Sequence, residues 1–337
     1  MEYYIIDFGK TVYIYDFYNI IVPKLRDYFN MHADRELIFN FSDLEFLSPN
    51  VIPHIFNIAE IYKQYCKKKL IIHFSWNVKV LAYFDALHFF QYAESLDIIE
   101  YNKEMVGGFK SYKTIDNCRF EVIQKNSSET LIIDQVQIIM QVMNRIEKKD
   151  KEFYSNYESL AEILFHLIHN STDILRGNSN TYVIFQLNNY NKKYFAYLSV
   201  CDNGVGIKST IKNKFLSGED KRLFQNRNDN TFMYILEAIF WRKYRKIFNE
   251  YVERHGIYQI TDIVLKRNGI IGIHSNDTYT SFNCDNFYAP FTEISEAINK
   301  NDLKSINEID YKNIYSKSAK TKKYKGVHID IEFPIGE

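Results

Sequence analysis

The chain has 337 residues, 46% of them hydrophobic and 25% charged, which is long enough for two globular domains and excludes a disordered or fibrous protein. Its 42 basic and 42 acidic residues give a net charge of zero, which excludes a global attraction to nucleic acid or to anionic membranes. The four cysteines lack zinc-finger or redox spacing, no apolar run reaches the ~18 residues of a membrane span, and the N-terminus does not resemble a signal peptide, so we expect a cytoplasmic protein with no membrane association.

The first 115 residues alternate between strand-like and helix-like segments. Residues 3–6 and 12–15 are β-prone and predict a hairpin around Gly9-Lys10. The hydrophobic spacing then predicts helices over 17–30, 51–66 and 77–86, and buried strands over 36–41 and 70–74. Such alternation is typical of βαβ units, so we expect a mostly parallel sheet covered by helices on at least one face. The glycine pair at 107–108 interrupts the pattern and marks a domain boundary.

Residues 120–337 have a different order of elements, which predicts an α/β sandwich with a mixed sheet and helices on one face. The predicted helices span 130–148, 158–175, 231–250 and 257–267, and the predicted strands span 181–188, 194–201, 270–275, 278–283 and 327–333. A charged segment, 208–229, and a polar stretch, 295–325, are predicted to lie outside regular elements.

One predicted helix carries a polar seam. Glu162, His166, Asn170 and Asp173 share one face, while apolar residues cover most of the rest, so we expect a buried helix whose seam faces a cleft. The amide oxygen of an asparagine is a hard ligand that suits Mg²⁺, which usually binds through one or two protein oxygens together with substrate phosphates. A solvated face on a surface helix is the alternative interpretation.

The stretch DNGVGI at 202–207 follows a predicted strand. Ligands collect at the carboxyl ends of strands in α/β proteins, and Asp202 there presents a carboxylate able to accept the exocyclic amine of adenine. Gly204 and Gly206 allow the backbone to turn tightly and to approach a ligand closely. Taken alone, the same residues are also typical of an ordinary tight turn.

The order of these motifs resembles the GHKL superfamily, which includes histidine kinase catalytic domains, anti-sigma-factor kinases and gyrase-type ATPases. The seam helix, LAEILFHLIHNSTD at 160–173, resembles the N box, and DNGVGI at 202–207 resembles the first glycine box. HGIYQI at 255–260 is similar to the second glycine box, and KGVHIDIEFP at 325–334 to the closing box with its terminal strand. The resemblance covers roughly residues 125–337.

The resemblance implies that ATP and Mg²⁺ are cofactors, bound by a GHKL (Bergerat) domain over residues 120–337. Asn170 would bind the Mg²⁺ that bridges the phosphates, with Asp173 on the same face counted among the nucleotide-binding residues. Asp202 would recognise adenine, and Gly204 and Gly206 would shape that side of the pocket. Gly256 would begin a helix whose N-terminal amides meet phosphate, and residues 208–255 would form a lid over the nucleotide.

Three positions depart from the family pattern. His166 stands where ATP-hydrolysing members place the glutamate that acts as general base, with Glu162 one turn earlier. A neutral histidine can act as a base near neutral pH, or it can be a spacer in a protein that only binds ATP. The box at Gly256 has one glycine where two are usual, and Val327 replaces the usual threonine, for which Thr280 is a candidate substitute.

A zinc site is disfavoured at His166 and His169, because they are three residues apart and no further ligand completes a set.

A basic run of five lysines precedes the last strand and consists of Lys317, Lys320, Lys322, Lys323 and Lys325. A solvated loop explains this run better than a nucleic-acid contact does, because the net charge is zero and only one aromatic residue, Tyr324, interleaves the lysines.

Residues 1–115 resemble the STAS-like domains of anti-sigma-factor antagonists through strand 36–41, the loop at Leu47-Ser48-Pro49 and the helix and strand that follow. Those proteins carry a phosphorylated serine in this loop. Here Ser48 before Pro49 is better explained as a helix N-cap with proline in the first turn, so a phosphoswitch at Ser48 is the minor alternative.

The leading functional hypothesis is a switch in which ATP binding changes contacts with a protein partner. A sensor histidine kinase is disfavoured because no histidine lies between His88 and His166 on which it would phosphorylate itself. The alternatives left open are an ATP-hydrolysing dimeric clamp in defence or DNA transactions, an anti-sigma-type Ser/Thr protein kinase, and a degenerate pocket that serves only for docking.

Overall fold

The computed structural model describes residues 2–107, 117–142, 157–172, 180–190, 193–216, 223–224, 230–248, 256–306, 308–309, 311, 313–318 and 324–335. Within these ranges the protein is mixed α/β, with one parallel and one antiparallel main sheet. No helix in the described part of the chain has the length and hydropathy needed to cross a membrane.

The first layer, residues 2–107, contains a four-stranded parallel sheet with the strand order β1-β3-β5-β6. The strands are β1 (Tyr3–Asp7), β2 (Thr11–Val12), β3 (Glu36–Phe41), β4 (Phe46–Leu47), β5 (Leu70–Phe74) and β6 (Ile99–Tyr101). The helices are α1 (Ile14–Asp16), a π-helical turn (Phe17–Ile21), α2 (Val22–Met31), α3 (Val51–Cys66), α4 (Val78–Ala86), α5 (Phe89–Leu96) and α6 (Lys103–Gly107). The predicted parallel sheet with alternating helices is confirmed.

The predicted hairpin around Gly9 is wrong. Strand β1 pairs in parallel with β3, whereas Thr11–Val12 pairs in parallel with β4, and the chain is helical from Ile14 onward. Gly9 has a φ of +71°, in the left-handed region that favours glycine, so the chain turns away from β1 instead of folding back on it.

The predicted helix start at Ser48 is also wrong. Helix α3 begins at Val51 with Asn50 in the N-cap position. Ser48 follows β4, its backbone N–H donates to the carbonyl of Val12, and only 3% of its surface is exposed. Pairing of β2 with β4, which joins segments distant in the sequence, therefore places this serine inside the protein, away from solvent.

The second layer is built on a seven-stranded sheet with the order β12-β11-β10-β13-β9-β8-β7. Its strands are β7 (Cys118–Ile123), β8 (Thr181–Tyr190), β9 (Lys193–Cys201), β10 (Ile270–Ser275), β11 (Thr278–Asn283), β12 (Tyr315–Ser318) and β13 (Val327–Ile335). Its helices are α7 (Glu129–Met140), α8 (Tyr157–Thr172), α9 (Gly206–Leu216), α10 (Thr231–Phe248), α11 (Ile257–Lys266), α12 (Cys284–Asn299) and α13 (Leu303–Ile306).

This sheet is antiparallel rather than mixed, which corrects the prediction. Every pairing between its described strands is antiparallel. Two tight hairpins, β8–β9 and β10–β11, impose that direction, because a short turn can only join antiparallel neighbours. Strand β13 then inserts between β9 and β10 and runs opposite to both.

The two faces of the seven-stranded sheet meet different partners. In β8, Val183 and Phe185 join the hydrophobic core formed with the helices of the second layer, while Tyr182 and Ile184 join the core of the first layer. The ring of Phe56 in α3 lies 5.8 Å from that of Tyr182. The predicted helices on one face are therefore present, and the first layer covers the opposite face.

Five elements of the second layer are absent from the sequence prediction. Strand β7 precedes the first predicted helix, α9 occupies the start of the charged segment at 208–229, and β12 and α13 lie in the polar stretch 295–325. The fifth, α12, contains Pro290 and begins with a capping box between Asn283 and Asn286. Its buried positions, Phe287, Phe291, Ile294 and Ile298, follow helical spacing and were the available signal.

A polar cluster lies buried between the two layers. His54 of α3 hydrogen-bonds through Nε2 to Asp330 of β13 and through Nδ1 to the hydroxyl of Tyr324. The interlayer cluster, as we call it, consists of Tyr18, His54, Ser199, Cys201, Tyr324 and Asp330. All six residues are buried.

Candidate nucleotide-binding site

Two of the four predicted seam residues line a cavity beside α8. Leu164 and Ile168 lie in the hydrophobic core, and His166 and Asn170 line a cavity on the opposite side of the helix. Glu162 does not line the cavity, but its carboxylate lies 3.5 Å from Nε2 of His166, so the two side chains form an i,i+4 pair. His169 is exposed. Asp173 lies outside the described residues.

The cavity is enclosed by helices α8, α9, α10 and α11 and by the ends of β9 and β13. Its lining consists of His166, Leu167, Asn170, Ser171, Val200, Asp202, Gly206, Ile207, Thr210, Ile211, Ala238, Ile239, Trp241, Gly256, Ile257, Val327 and Ile329. Most of these side chains are apolar, with a few polar groups among them, which is the usual composition of a small-molecule pocket. Five of the predicted site residues, from segments spread over some ninety positions, thus meet in one cavity.

Asp202 follows β9 and is buried. Its Oδ1 accepts hydrogen bonds from the backbone N–H of Gly204 at 2.7 Å and of Val327 at 3.2 Å. Burial raises the pKa of the Asp202 carboxyl to about 6, and the two backbone donors oppose that shift only in part. Since both donors use Oδ1, Oδ2 is the oxygen left for a ligand among the described residues.

Glycines hold the Asp202 turn in place. Gly204 supplies one of the two N–H donors but does not line the cavity. Gly206 has a φ of +82°, and a Cβ there would overlap the side-chain amide of Asn276. Gly326 has a φ of +100°, and a Cβ there would overlap the carbonyl oxygen of Asp202. Only glycine fits both positions without strain, so the backbone around Asp202 is tightly defined.

The first layer also contacts this turn. The side-chain amide of Asn57 in α3 donates to the carbonyl oxygen of Asp202 at 3.2 Å, and its nitrogen lies 2.8 Å from Nε2 of His328. Asn57 and His328 are fully buried. The sequence offered no signal for this contact, because it joins residues 145 positions apart in different layers.

Gly256 lies at the start of α11, as predicted. It is the N-cap residue of this helix, and both Gly256 and Ile257 line the cavity. The first amides of a helix lack partners within the helix and attract anions. The start of α11 is therefore a suitable place for a phosphate group.

The predicted lid at 208–255 is largely helical where it is described. Helices α9 and α10 supply Ile207, Ile211, Ile239 and Trp241 to the cavity wall, and Leu236 and Phe240 of α10 lie in the core. Residues 217–222, 225–229 and 249–255 lie outside the described residues. Trp241 and Thr210 also line the cavity and were not among the predicted site residues, because the whole segment 208–255 was predicted to be a lid and not a wall of the pocket.

Two further predictions concern the closing box. Val327 lines the cavity at the position where the family places threonine. Thr280 does not substitute for it, because it lies in β11 outside the cavity lining and its hydroxyl donates to Ser316.

Of the basic run, Lys325 is exposed, and its ammonium lies 5.9 Å from the ring centre of Tyr65. The structure does not describe the side chains of the other four lysines.

Comparisons of the chain with protein-family models, with curated proteins and with solved structures gave no match.

Proposed function

We propose that the protein binds Mg-ATP in this cavity and acts as a nucleotide-dependent switch on a protein partner in the cytoplasm. In this proposal the second layer is a GHKL-type ATP-binding domain and the first layer is a STAS-like regulatory domain. One observation carries the proposal: His166, Asn170, Asp202, Gly206 and Gly256 line the same cavity. These residues come from the motifs whose order resembles that superfamily.

Asp202 supports the recognition of adenine. Its Oδ1 is held by two backbone N–H groups, so the side chain cannot rotate freely, and Oδ2 is the oxygen available to accept the exocyclic amine of adenine. Apolar neighbours such as Val200, Ile207 and Ile329 offer flat contacts to a purine ring. Guanine carries a carbonyl oxygen at the equivalent position and would face the carboxylate with an acceptor instead of a donor.

Asn170 and the start of α11 support binding of the metal and the phosphates. The Asn170 side chain offers a neutral oxygen ligand, and Mg²⁺ needs only one or two such protein oxygens when phosphates complete its coordination. The N-terminus of α11 at Gly256 offers backbone N–H groups on another wall of the same cavity. These donors fit a Mg-triphosphate, and the cation would neutralise part of the phosphate charge.

The first test of this proposal is the Asp202→Asn variant. The asparagine keeps the shape of the side chain but removes its charge, so we expect ATP affinity to fall roughly 10- to 100-fold while the preference for ATP over GTP narrows. Isothermal titration calorimetry with both nucleotides measures this. Asp262→Asn is the matched control, since Asp262 lies on α11 outside the cavity lining and should leave both affinities unchanged. Full ATP affinity in Asp202→Asn would contradict the adenine-reading role.

The raised pKa of Asp202 predicts that binding depends on pH. Because Oδ1 is occupied by two donors, a proton added as the pH falls through about 6 goes to Oδ2 and blocks the amine contact. Affinity for adenosine should therefore be constant above about pH 7 and should fall by up to about tenfold per pH unit below 6. Adenosine is the right ligand because it carries no phosphate that titrates in this range. An adenosine affinity that is flat between pH 5 and 8 would contradict the prediction.

A second candidate activity is ATP hydrolysis with His166 as the general base. It is favoured by the 3.5 Å contact between His166 Nε2 and the Glu162 carboxylate, since a carboxylate beside an imidazole stabilises the imidazolium that forms when the ring takes a proton from water. We expect steady-state phosphate release to fall about 100-fold or more in His166→Ala, with ATP affinity changed little. His169→Ala, on the exposed side of the same helix, is the control. Equal rates of phosphate release in the two variants would show that His166 is not the general base, and ATP binding alone would remain.

The switch role rests on the contact between the layers. Because Asn57 donates to the carbonyl of Asp202, a nucleotide that shifts the Asp202 turn also shifts α3 and with it the surface of the first layer. Two further assays distinguish the remaining alternatives. Transfer of labelled γ-phosphate to a co-purified protein would identify a kinase, and ATP-dependent dimerisation in solution would identify a clamp.

A further inference from the structure

The interlayer cluster brings together three different kinds of metal-binding side chain. His54 comes from α3 of the first layer, Cys201 ends β9 and Asp330 lies in the middle of β13. Their ligand atoms all lie within 4.8 Å of one another, and this is the only such group found in the part of the chain that the structure describes. Neither the sequence resemblance nor the proposed nucleotide site uses these three side chains.

The distances between the ligand atoms suit a tetrahedral site. Zinc bonds of about 2.0 Å to nitrogen or oxygen and 2.3 Å to sulfur place ligand atoms roughly 3.3 to 3.6 Å apart. Here Nε2 of His54 lies 3.5 Å from Sγ of Cys201 and 3.0 Å from Oδ1 of Asp330. The hydroxyl of Ser199 lies 3.4 Å from Sγ and 2.7 Å from Oδ1, so Ser199 is placed to complete a fourth position. The two distances that involve Sγ already fit, whereas Oδ1 must move about 0.3 Å further from Nε2 and about 0.6 Å further from the Ser199 hydroxyl to admit an ion.

The surroundings of the three side chains also match those of a metal site. A histidine that binds a metal through one ring nitrogen usually donates its other N–H to an oxygen nearby. Nδ1 of His54 lies 2.6 Å from the hydroxyl oxygen of Tyr324, and the hydroxyl of Tyr18 donates to Oδ2 of Asp330 at 3.2 Å. Both second partners hold their ligand residue in a fixed orientation.

Charge gives an independent argument. The side chains of His54 and Asp330 are 0% and 1% exposed, so a net charge here is costly. A divalent cation bound to one thiolate, one carboxylate and a neutral imidazole gives a site with no net charge. On binding, the thiol proton of Cys201 leaves to solvent, and His54 binds through an unprotonated Nε2 with its ring proton on Nδ1, where the hydroxyl oxygen of Tyr324 accepts it.

We propose that His54, Cys201 and Asp330, with Ser199 in the fourth position, bind a structural Zn²⁺ that joins the first layer to the seven-stranded sheet. Thiolate and imidazole ligands favour zinc over Mg²⁺ or Ca²⁺, which prefer oxygen ligands. Full burial leaves no position for substrate, so the site is structural and not catalytic. The ion would enter as the two layers close during folding, since the finished site has no exposed ligand atom.

The test uses the full chain and has three readouts. Protein from zinc-supplemented cells should contain about one zinc per chain by elemental analysis, and unfolding with a chelator should remove it. Refolding with Co²⁺ should then produce a thiolate-to-cobalt absorption band and the visible bands of a tetrahedral ion, and refolding with Zn²⁺ should raise the melting temperature above that of the metal-free protein. The proposal is overturned if wild-type protein refolds, as judged by circular dichroism, but contains no zinc, shows no cobalt bands and has an unchanged melting temperature.

Cys201→Ser identifies the ligand. We expect it to lose the cobalt charge-transfer band and at least tenfold in zinc affinity. Cys118→Ser is the matched control, because Cys118 is equally buried and packs in the same core of the first layer, yet is not part of the donor set. A band that survives in Cys201→Ser, or that is lost in Cys118→Ser, overturns the assignment. If Cys201→Ser does not fold, Asp330→Asn provides the same comparison through zinc content.

Discussion

Replacement of Asn170 by alanine is expected to abolish Mg²⁺-dependent ATP binding. The variant removes an oxygen that lines the cavity on α8 without changing the apolar side of the helix, so the fold should be retained. A lost ligand to a charged group costs about 3 kcal/mol, which corresponds to roughly 100-fold in affinity. Titration of ATP in the presence of Mg²⁺ measures the loss directly.

The same titration without Mg²⁺ is the control for this prediction. In EDTA the wild-type protein and Asn170→Ala should bind ATP equally weakly, because the contribution of Asn170 acts through Mg²⁺. His169→Ala, on the exposed side of the same helix, should behave as wild type in both buffers. Unchanged Mg-ATP affinity in Asn170→Ala would reject the nucleotide site and favour a pocket used only for docking.

The second large effect concerns stability. Asp330→Ala is expected to lower the free energy of unfolding by about 3 to 5 kcal/mol, the cost of breaking a buried charged network by removing one partner. In the metal-free protein the alanine would leave Tyr18 and Ser199 as buried donors without their acceptor and Nε2 of His54 without its partner. Urea denaturation followed by circular dichroism measures the change.

Asp262→Ala gives the matched comparison. Asp262 pairs with Lys266 at 2.7 Å on the surface of α11, and an exposed pair of this kind is worth less than about 1 kcal/mol. Asp330→Asn keeps an acceptor oxygen and should lose less stability than the alanine variant. If the Asp330→Ala and Asp262→Ala variants unfold at the same urea concentration, the interlayer cluster does not hold the layers together.

Much of the fold could be predicted because its elements have clean local patterns. The helix 51–66 and the strands 70–74, 270–275 and 278–283 have the predicted limits. Helix 51–66 and strand 70–74 are apolar runs of the length typical of each element, and strands 270–275 and 278–283 are β-prone segments that flank the short turn at Asn276 and Asp277. The convergence of Asn170, Asp202 and Gly256 was predictable only from the order of motifs in a resembling family, because no local pattern links residues so far apart.

The rest could not be predicted because it depends on contacts between distant segments. Ser199, His328 and Asp330 alternate with apolar residues in β9 and β13. In a sequence read without its structure, such alternation indicates that the polar side of the strand faces water. The structure turns that face to the first layer instead. A polar side chain that faces solvent and one that meets a buried partner leave the same period-two pattern, so the interlayer cluster has no signature in the sequence.

The seven-stranded sheet buried on both faces limits how this protein can be dissected. A fragment that begins at residue 117 would expose Phe120, Tyr182 and Ile184, and Asp330 would keep Ser199 but lose His54 and Tyr18. An apolar surface of that kind promotes self-association. The two layers therefore depend on each other for their folded structure. Gene fusions or truncations that separate them would yield aggregates instead of a minimal nucleotide-binding unit.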